Sequence, residues 1–69
     1  MTIPSEQFRA ALRGARKAAG LTQAAAAERM GVSQPLWSAY ERGAREPTLD
    51  QAQRLAATVG ATLAKLLTK

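Results

Sequence analysis

The side chains suited to chemistry in this 69-residue sequence are hydrogen-bonding and cationic groups, not catalytic ones. One short uncharged segment combines an amide, a hydroxyl and three apolar side chains: Gln34, Pro35, Leu36, Ser38 and Ala39. A glutamine amide can pair with N6 and N7 of adenine, a serine hydroxyl can bond a base edge, and apolar groups can contact a thymine methyl group. We therefore predict that these residues contact bases of double-stranded DNA, with solvent exposure or packing as the alternative for each.

The stretch before this segment is rich in alanine and is predicted to form a short helix. Thr22 can cap its beginning by accepting a hydrogen bond from a backbone N–H. Its apolar positions are Ala26, Ala27 and Met30. Gly31 can adopt the positive φ that ends a helix and turns the chain.

A second short helix is predicted after this glycine, with Ser33 as its cap. Pro35 falls in its first turn, where the missing N–H of proline costs nothing. Trp37 and Tyr40 are spaced i, i+3 and are predicted to form its buried side. Two capped helices joined by a tight turn, here over about residues 22–41, can place the second helix in a DNA groove.

Cationic and amide side chains around these two helices are predicted to contact phosphates. Gln23 begins the first helix, where its amide and the free backbone N–H groups can bind a phosphate, with local capping as the alternative. Arg42 and Arg45 belong to a basic loop predicted over residues 42–47, where the alternative is a solvated arginine. A further cationic row, spaced i, i+4, i+8, is a plausible flank for phosphates: Arg9, Arg13 and Lys17.

The composition favours an anionic partner and excludes several classes of function. Ten Lys and Arg against five Asp and Glu give a formal net charge of +5, although a basic surface can also serve solubility alone. There is no cysteine and no histidine, which excludes disulfides, zinc sites of the usual ligand types and histidine-based catalysis. No pair of residues resembles a nucleophile with its base, so we predict neither enzyme activity nor a cofactor.

The length of the chain predicts a single domain over residues 1–69. No apolar run approaches the roughly 18 residues of a membrane span. The N-terminus lacks the apolar core of a signal peptide. We therefore expect a cytoplasmic protein, with no membrane and no metal among its partners.

Capping signals outside the central pair predict three more helices, which makes five in an all-α fold. The first opens at Pro4 and Ser5 and ends at Gly20. The fourth begins with a capping box at Thr48 and ends at Gly60. Their predicted inward positions are Phe8, Ala11, Leu12, Ala15 and Ala19 in the first, and Leu49, Ala52, Leu55, Ala56 and Val59 in the fourth.

A short last helix, capped by Thr62, has an apolar side that is large for a solitary tail. Its apolar residues are Leu63, Leu66 and Leu67. They either fold back onto the core or meet another molecule. We predict that they lie at the interface of a weak homodimer, which DNA strengthens by bringing two copies together.

From about Phe8 to Leu67 the chain resembles the phage repressor and Cro-like helix-turn-helix family (XRE type). The resemblance rests on the combination LTQ, GVS, ERG and PTL. The matching positions are Arg16, Gly20, Leu21, Thr22, Gln23, Ala27, Gly31, Val32, Ser33, Ser38, Glu41, Gly43, Pro47, Leu49, Leu55, Ala56, Gly60 and Leu66. The resemblance implies a five-helix, lambda-repressor-like DNA-binding domain in a bacterial or phage protein.

The family also implies functional roles for particular residues. Arg16 and Glu41 occupy the positions of a buried ion pair, and Arg16 can still direct one N–H toward a phosphate. Thr22 and Gln23 stand where the family contacts phosphates, and Gln23 braces the first recognition residue. The implied function is transcriptional regulation, most simply as a repressor that binds a palindromic operator as a dimer.

Two features depart from the family pattern. Ala26 stands where the family has a large aliphatic residue, and Trp37 stands where it has isoleucine or valine. We expect the larger side chain of Trp37 to compensate for the smaller side chain of Ala26, so that the total core volume is kept. Ala24 and Ala25 replace acidic residues, which removes negative charge from the side nearest the phosphates.

The alternative function is an antitoxin or protein-interaction adaptor, with a toxin or co-regulator as its protein partner.

Overall fold

The computed structural model describes residues 5–67, and in this range the chain forms five helices and no strand. The helices are α1 (Ser5–Ala18), α2 (Gln23–Met30), α3 (Gln34–Arg42), α4 (Leu49–Thr58) and α5 (Leu63–Leu67). The prediction of an all-α, five-helix fold is confirmed. Pro4, which we predicted to open the first helix, lies outside the described residues.

The helices enclose one core, in which α1 packs against α3 and α5, α2 packs against α3 and α4, and α4 packs against α5. Its largest fully buried apolar side chains are Phe8, Leu12, Trp37 and Leu55. Alanines supply the buried positions of α2, and Trp37 is completely enclosed on α3. A large buried indole thus accompanies small side chains in the neighbouring helix, consistent with compensation of core volume.

Two predicted core positions are wrong. Ala19 is exposed because α1 ends at Ala18, and the helical spacing no longer applies to the residue after it. Leu49 is 43% exposed because it is the first residue of α4 and lies at the open end of that helix. The structure instead buries Thr58, whose hydroxyl donates a 2.8 Å hydrogen bond to the backbone carbonyl of Arg54.

The last helix folds back onto the rest of the chain. Thr62 caps it by accepting a hydrogen bond from the Lys65 N–H. The Gln7 side-chain amide on α1 donates a 2.6 Å hydrogen bond to the Leu67 carbonyl and so joins the two ends of the fold. Leu66 is only 5% exposed, so most of its side chain lies in the core of its own chain and little of it is left for a dimer interface. Leu63 and Leu67 pack against that core but are only partly buried.

Candidate nucleic-acid interface

The pair α2 and α3 is held by the capping residues that the sequence indicates. The Thr22 hydroxyl accepts a 3.0 Å hydrogen bond from the Ala25 N–H, and the Ser33 hydroxyl accepts a 3.2 Å hydrogen bond from the Leu36 N–H. Each cap satisfies a backbone donor that the first turn of a helix leaves without a partner. Both predicted caps are therefore confirmed.

The turn between the two helices depends on Gly31, which has a φ of +83°. Its N–H donates to the carbonyls of Ala27 and Glu28, and the Val32 N–H also donates to Ala27. A residue with a Cβ in this left-handed conformation would be strained. The turn therefore closes α2 tightly and fixes the direction in which α3 leaves.

The two sides of α3 differ sharply in burial. Trp37, Tyr40 and Glu41 are at most 2% exposed and form its inner side. Gln34 and Pro35 are exposed, and Leu36, Ser38 and Ala39 are half-buried. Leu36 also packs in part against the core. The structure thus brings the five residues predicted to contact bases onto the part of α3 that is not enclosed.

The C-terminal end of α3 bears the first of the two predicted phosphate-binding arginines. Arg42 is the last residue of this helix, so α3 is longer by one residue than predicted, and Gly43 ends it with a φ of +79°. The Arg42 Nε donates a 3.2 Å hydrogen bond to the Ser38 hydroxyl, one turn earlier. Arg45 is exposed in the following loop, where its backbone N–H donates to the Ala39 carbonyl.

Glu41 is the centre of a buried hydrogen-bond network. Its carboxylate accepts hydrogen bonds from Arg16 Nε at 2.6 Å and Arg16 Nη2 at 3.2 Å. It also accepts one from Gln23 Nε2 at 3.0 Å and one from Trp37 Nε1 at 2.5 Å. One carboxylate therefore joins α1, the beginning of α2 and the inner side of α3, and the ion pair implied by the family resemblance is present.

The balance of burial and hydrogen bonding sets the charge state of this carboxylate. Burial alone would raise the pKa of Glu41, but the hydrogen bonds from its three neighbours and the positive charge of Arg16 outweigh that effect. The pKa of Glu41 is therefore lower than its ordinary value. Glu41 therefore stays ionised at neutral pH, and the positive charge of Arg16 balances its negative charge inside the fold.

The burial of Arg16 restricts what it can do at the surface. Its side chain is 10% exposed, and its Nη1 donates a further 2.8 Å hydrogen bond to the Leu21 carbonyl. Three of its nitrogen atoms thus have protein partners. Arg16 is therefore first a structural residue, and its contact with a phosphate stays a prediction.

Two arginines of α1 lie against the C-terminal end of α3. Arg13 Nη1 donates a 3.1 Å hydrogen bond to the backbone carbonyl of Glu41. The Arg9 guanidinium lies so close to Gly43 that a Cβ at that position would overlap it. Positive charge at this end complements the helix dipole. Arg9 and Arg13 therefore extend the cationic surface at the end of α3, whereas Lys17 is simply exposed.

Sequence reasoning missed two of the links to Glu41. The Trp37 indole was predicted only as core, although its i, i+4 spacing to Glu41 is a signal for a contact within one helix. The bond from Gln23 to Glu41 has no such signal, because it joins residues 18 positions apart on different helices. Gln23 is thus half-buried at the beginning of α2 and has a structural partner.

The described part of the chain has no group of three or more His, Cys, Asp or Glu residues that could hold a metal ion. Within residues 5–67, no helix is long and apolar enough to cross a membrane.

Comparison with known proteins assigns the chain to a family. A family model described as a helix-turn-helix domain matches residues 7–67. Among curated proteins, no sequence is similar enough to count as a match. Among solved structures, the chain is similar to the clp gene regulator ClgR from Corynebacterium glutamicum, with a TM-score of 0.84 and 32% identity over 94% of this chain and 69% of that one. The chain therefore belongs to the helix-turn-helix domain family, a family of DNA-binding regulators and not of enzymes.

Proposed function

We propose that this protein is a sequence-specific, double-stranded DNA-binding transcriptional regulator that represses by occupying a palindromic operator as a dimer. The observation that supports the proposal most directly is the outer side of α3, which bears an uncharged, partly polar set of side chains next to a cationic end. Helix-turn-helix proteins place such a helix in the major groove. The caps of α2 and α3 hold this side in one orientation, which a base-reading surface needs.

The proposed base contacts lie at Gln34, Pro35, Leu36, Ser38 and Ala39. Gln34 is exposed in the first turn of α3, where its amide can form two hydrogen bonds with adenine. Ser38 lies one turn later and can donate its hydroxyl proton to a base acceptor. The buried inner side of α3 has no such role, because Trp37 and Tyr40 are enclosed in the core.

The proposed phosphate contacts lie at Thr22, Gln23, Arg42 and Arg45. Thr22 and Gln23 stand at the beginning of α2, where backbone N–H groups without helical partners and the helix dipole favour an anion. Arg42 and Arg45 are exposed at the end of α3 and in the next loop. Contacts at both places would fix the position of α3 along the groove.

The proposed dimer interface involves Leu63 and Leu67, which remain partly buried on α5. The described residues span 27 × 22 × 18 Å. Two such bodies side by side can place their copies of α3 about 34 Å apart, which is one turn of DNA. Two partly buried leucines make a small contact, so we propose a weak dimer that the operator strengthens.

The biological setting is part of the proposal. ClgR is a gene regulator from a bacterium, which supports regulation of transcription in the cytoplasm of a bacterium or in a phage-infected cell. A dimer bound over an operator excludes other proteins from the same DNA, which is the simplest route to repression.

The test is a selection of bound duplexes from a random library, followed by sequencing. We expect an inverted repeat whose half-sites are centred about one helical turn apart. Enrichment of a single half-site without its repeat would contradict the dimer but not DNA recognition. No enrichment of any sequence would overturn the proposed function.

A further inference from the structure

The outer side of α3 offers few groups that can distinguish bases by hydrogen bonding. Between Gln34 and Ala39 there is one amide, one hydroxyl and no charged side chain. Recognition of guanine by a bidentate cation needs Arg or Lys, and acceptance of the cytosine N4 donors is the role of Asp or Glu. The nearest cation on this helix is Arg42, at its last position.

The hydroxyl is already partly engaged by its neighbour on the helix. The Arg42 Nε donates a 3.2 Å hydrogen bond to the Ser38 hydroxyl oxygen. The Ser38 hydroxyl then has its proton and one lone pair left, so it can donate one hydrogen bond to a base edge and accept one more. Hydrogen-bonded recognition of bases by the outer side of α3 therefore rests on one amide and one hydroxyl group.

Apolar side chains make up the rest of this side. Pro35 is exposed, and Leu36 and Ala39 are half-buried. In the major groove, the one apolar group that differs between base pairs is the C5-methyl group of a pyrimidine. Contact with it removes apolar area from water on both molecules, which gives a favourable free energy for a methylated base and none for its unmethylated analogue.

We infer that Pro35, Leu36 and Ala39 supply the part of the specificity that Gln34 and Ser38 do not, by packing against pyrimidine C5-methyl groups in the major groove. The inference rests on the proposed function and deepens it. Thymine and 5-methylcytosine present the same methyl group at the same position of the base, so the shared chemistry is the C5-methyl group itself.

The charges around the apolar side chains favour a DNA groove as their occupant. Arg42 and Arg45 lie at the end of the same helix and in the following loop, and both are exposed. The whole chain has a formal net charge of +5. A neutral, partly apolar strip beside cationic side chains matches a groove in which phosphates flank the uncharged base edges.

The DNA arm of the test uses the duplex obtained by selection. Each thymine of a half-site is replaced by uracil, one position at a time, and each cytosine is replaced by 5-methylcytosine. We expect uracil to weaken binding about four-fold at one or more positions, the size expected from one buried CH₂-sized group. A gain of similar size with 5-methylcytosine would identify methylated cytosine as a second source of the same group.

The protein arm identifies the side chains that contact the methyl group. Pro35→Ser keeps a residue suited to the first turn of a helix and removes apolar area. With this variant, we expect the ratio of the affinities for the thymine and uracil duplexes to fall toward one at a single position of the half-site. Ala57→Ser is the matched control, because Ala57 is an exposed apolar residue on α4. The control should keep the wild-type ratio, and thermal unfolding of both variants checks that they remain folded.

The outcomes separate this inference from the proposed function. Specific binding with equal affinity for thymine and uracil at every position, and no gain from 5-methylcytosine, would overturn the inference and leave the proposed function intact. An unchanged ratio in Pro35→Ser, and likewise in Leu36→Ala, would overturn the role of those side chains. If the selection returns no preferred sequence, the proposed function fails and the inference fails with it.

Discussion

The indole Nε1 of Trp37 donates a hydrogen bond to the Glu41 carboxylate, one turn later on the same helix. The two residues are 0% and 2% exposed. The indole thus has two roles, because it fills the core and also satisfies a buried charge. The second role requires an N–H group, which isoleucine or valine at this position would lack.

Replacement of Trp37 should separate these two roles. Trp37→Ala should cost about 3–5 kcal/mol of unfolding free energy, because it removes a large buried ring. Trp37→Phe keeps a ring and loses the bond to the charged group, for which we expect about 1.5–3 kcal/mol. Urea denaturation followed by circular dichroism measures both. A Trp37→Phe protein as stable as the wild type would show that the bond to Glu41 contributes nothing.

The stability of the protein should fall in acid because of Glu41. In the unfolded chain this carboxyl takes up a proton near its ordinary pKa of 4.5, whereas the folded state holds the pKa lower. Its contribution is therefore fully present above pH 4.5 and is lost as the pH falls through the folded value. Unfolding midpoints between pH 7 and pH 3 test this expectation.

Two variants isolate the contribution of Glu41 from other acid effects. Glu41→Gln should be less stable at pH 7, since Arg16 remains buried without its counter-charge, and its stability should decline less steeply below pH 4.5. Glu28→Gln changes an exposed residue and should keep the wild-type decline. The same decline in all three proteins would show that Glu41 is not the group that titrates.

The parts of the fold that the sequence predicts are those that local chemistry determines. Thr22 and Ser33 accept hydrogen bonds from residues three positions later, and Gly31 adopts a conformation that its own lack of a Cβ allows. Each of these features depends on a few neighbouring residues. They could therefore be predicted without knowing how the helices pack.

The parts that were predicted wrongly or missed depend on where the helices end and how they meet. The helical spacing gave Leu49 an inward position, but a residue at the open end of α4 has no neighbour to cover it. The apolar pattern of α5 does not distinguish Leu66, which is buried in the core, from Leu63 and Leu67, which are only partly buried. The bond from Gln23 to Glu41 exists only because α2 and α3 pack together.

Gln34→Ala should weaken binding to the selected duplex by about 1–3 kcal/mol and relax the preference at one base pair per half-site. Stability should hardly change, since Gln34 is exposed. Gln53→Ala, at an exposed glutamine on α4, is the matched control and should leave binding unchanged. Fluorescence anisotropy with duplexes altered at each position measures the preference. If Gln34→Ala keeps the wild-type preference at every position, Gln34 is not a base contact.

Arg45→Ala and Arg42→Ala should weaken binding to all duplexes about equally, because phosphates are the same in every sequence. Each should lower the slope of log affinity against log salt by about 0.9, the value for one phosphate neutralised. Arg54→Ala removes an exposed cation on α4 and should keep the wild-type slope. A changed base preference with unaltered non-specific affinity would refute the assignment of either arginine to phosphates.

Leu67→Glu should abolish cooperative loading of two copies onto a palindromic duplex, because it places a charge at the proposed contact between copies of α5. Each copy should still bind a single half-site, since Leu67 is remote in sequence from the residues of α3 and is only partly buried. Leu49→Glu introduces the same charge at an exposed leucine on α4 and should load as the wild type does. Sedimentation with and without the duplex measures the number of copies bound. If Leu67→Glu still loads two copies with wild-type cooperativity, α5 serves only the core of its own chain and the dimer contact, if there is one, lies elsewhere.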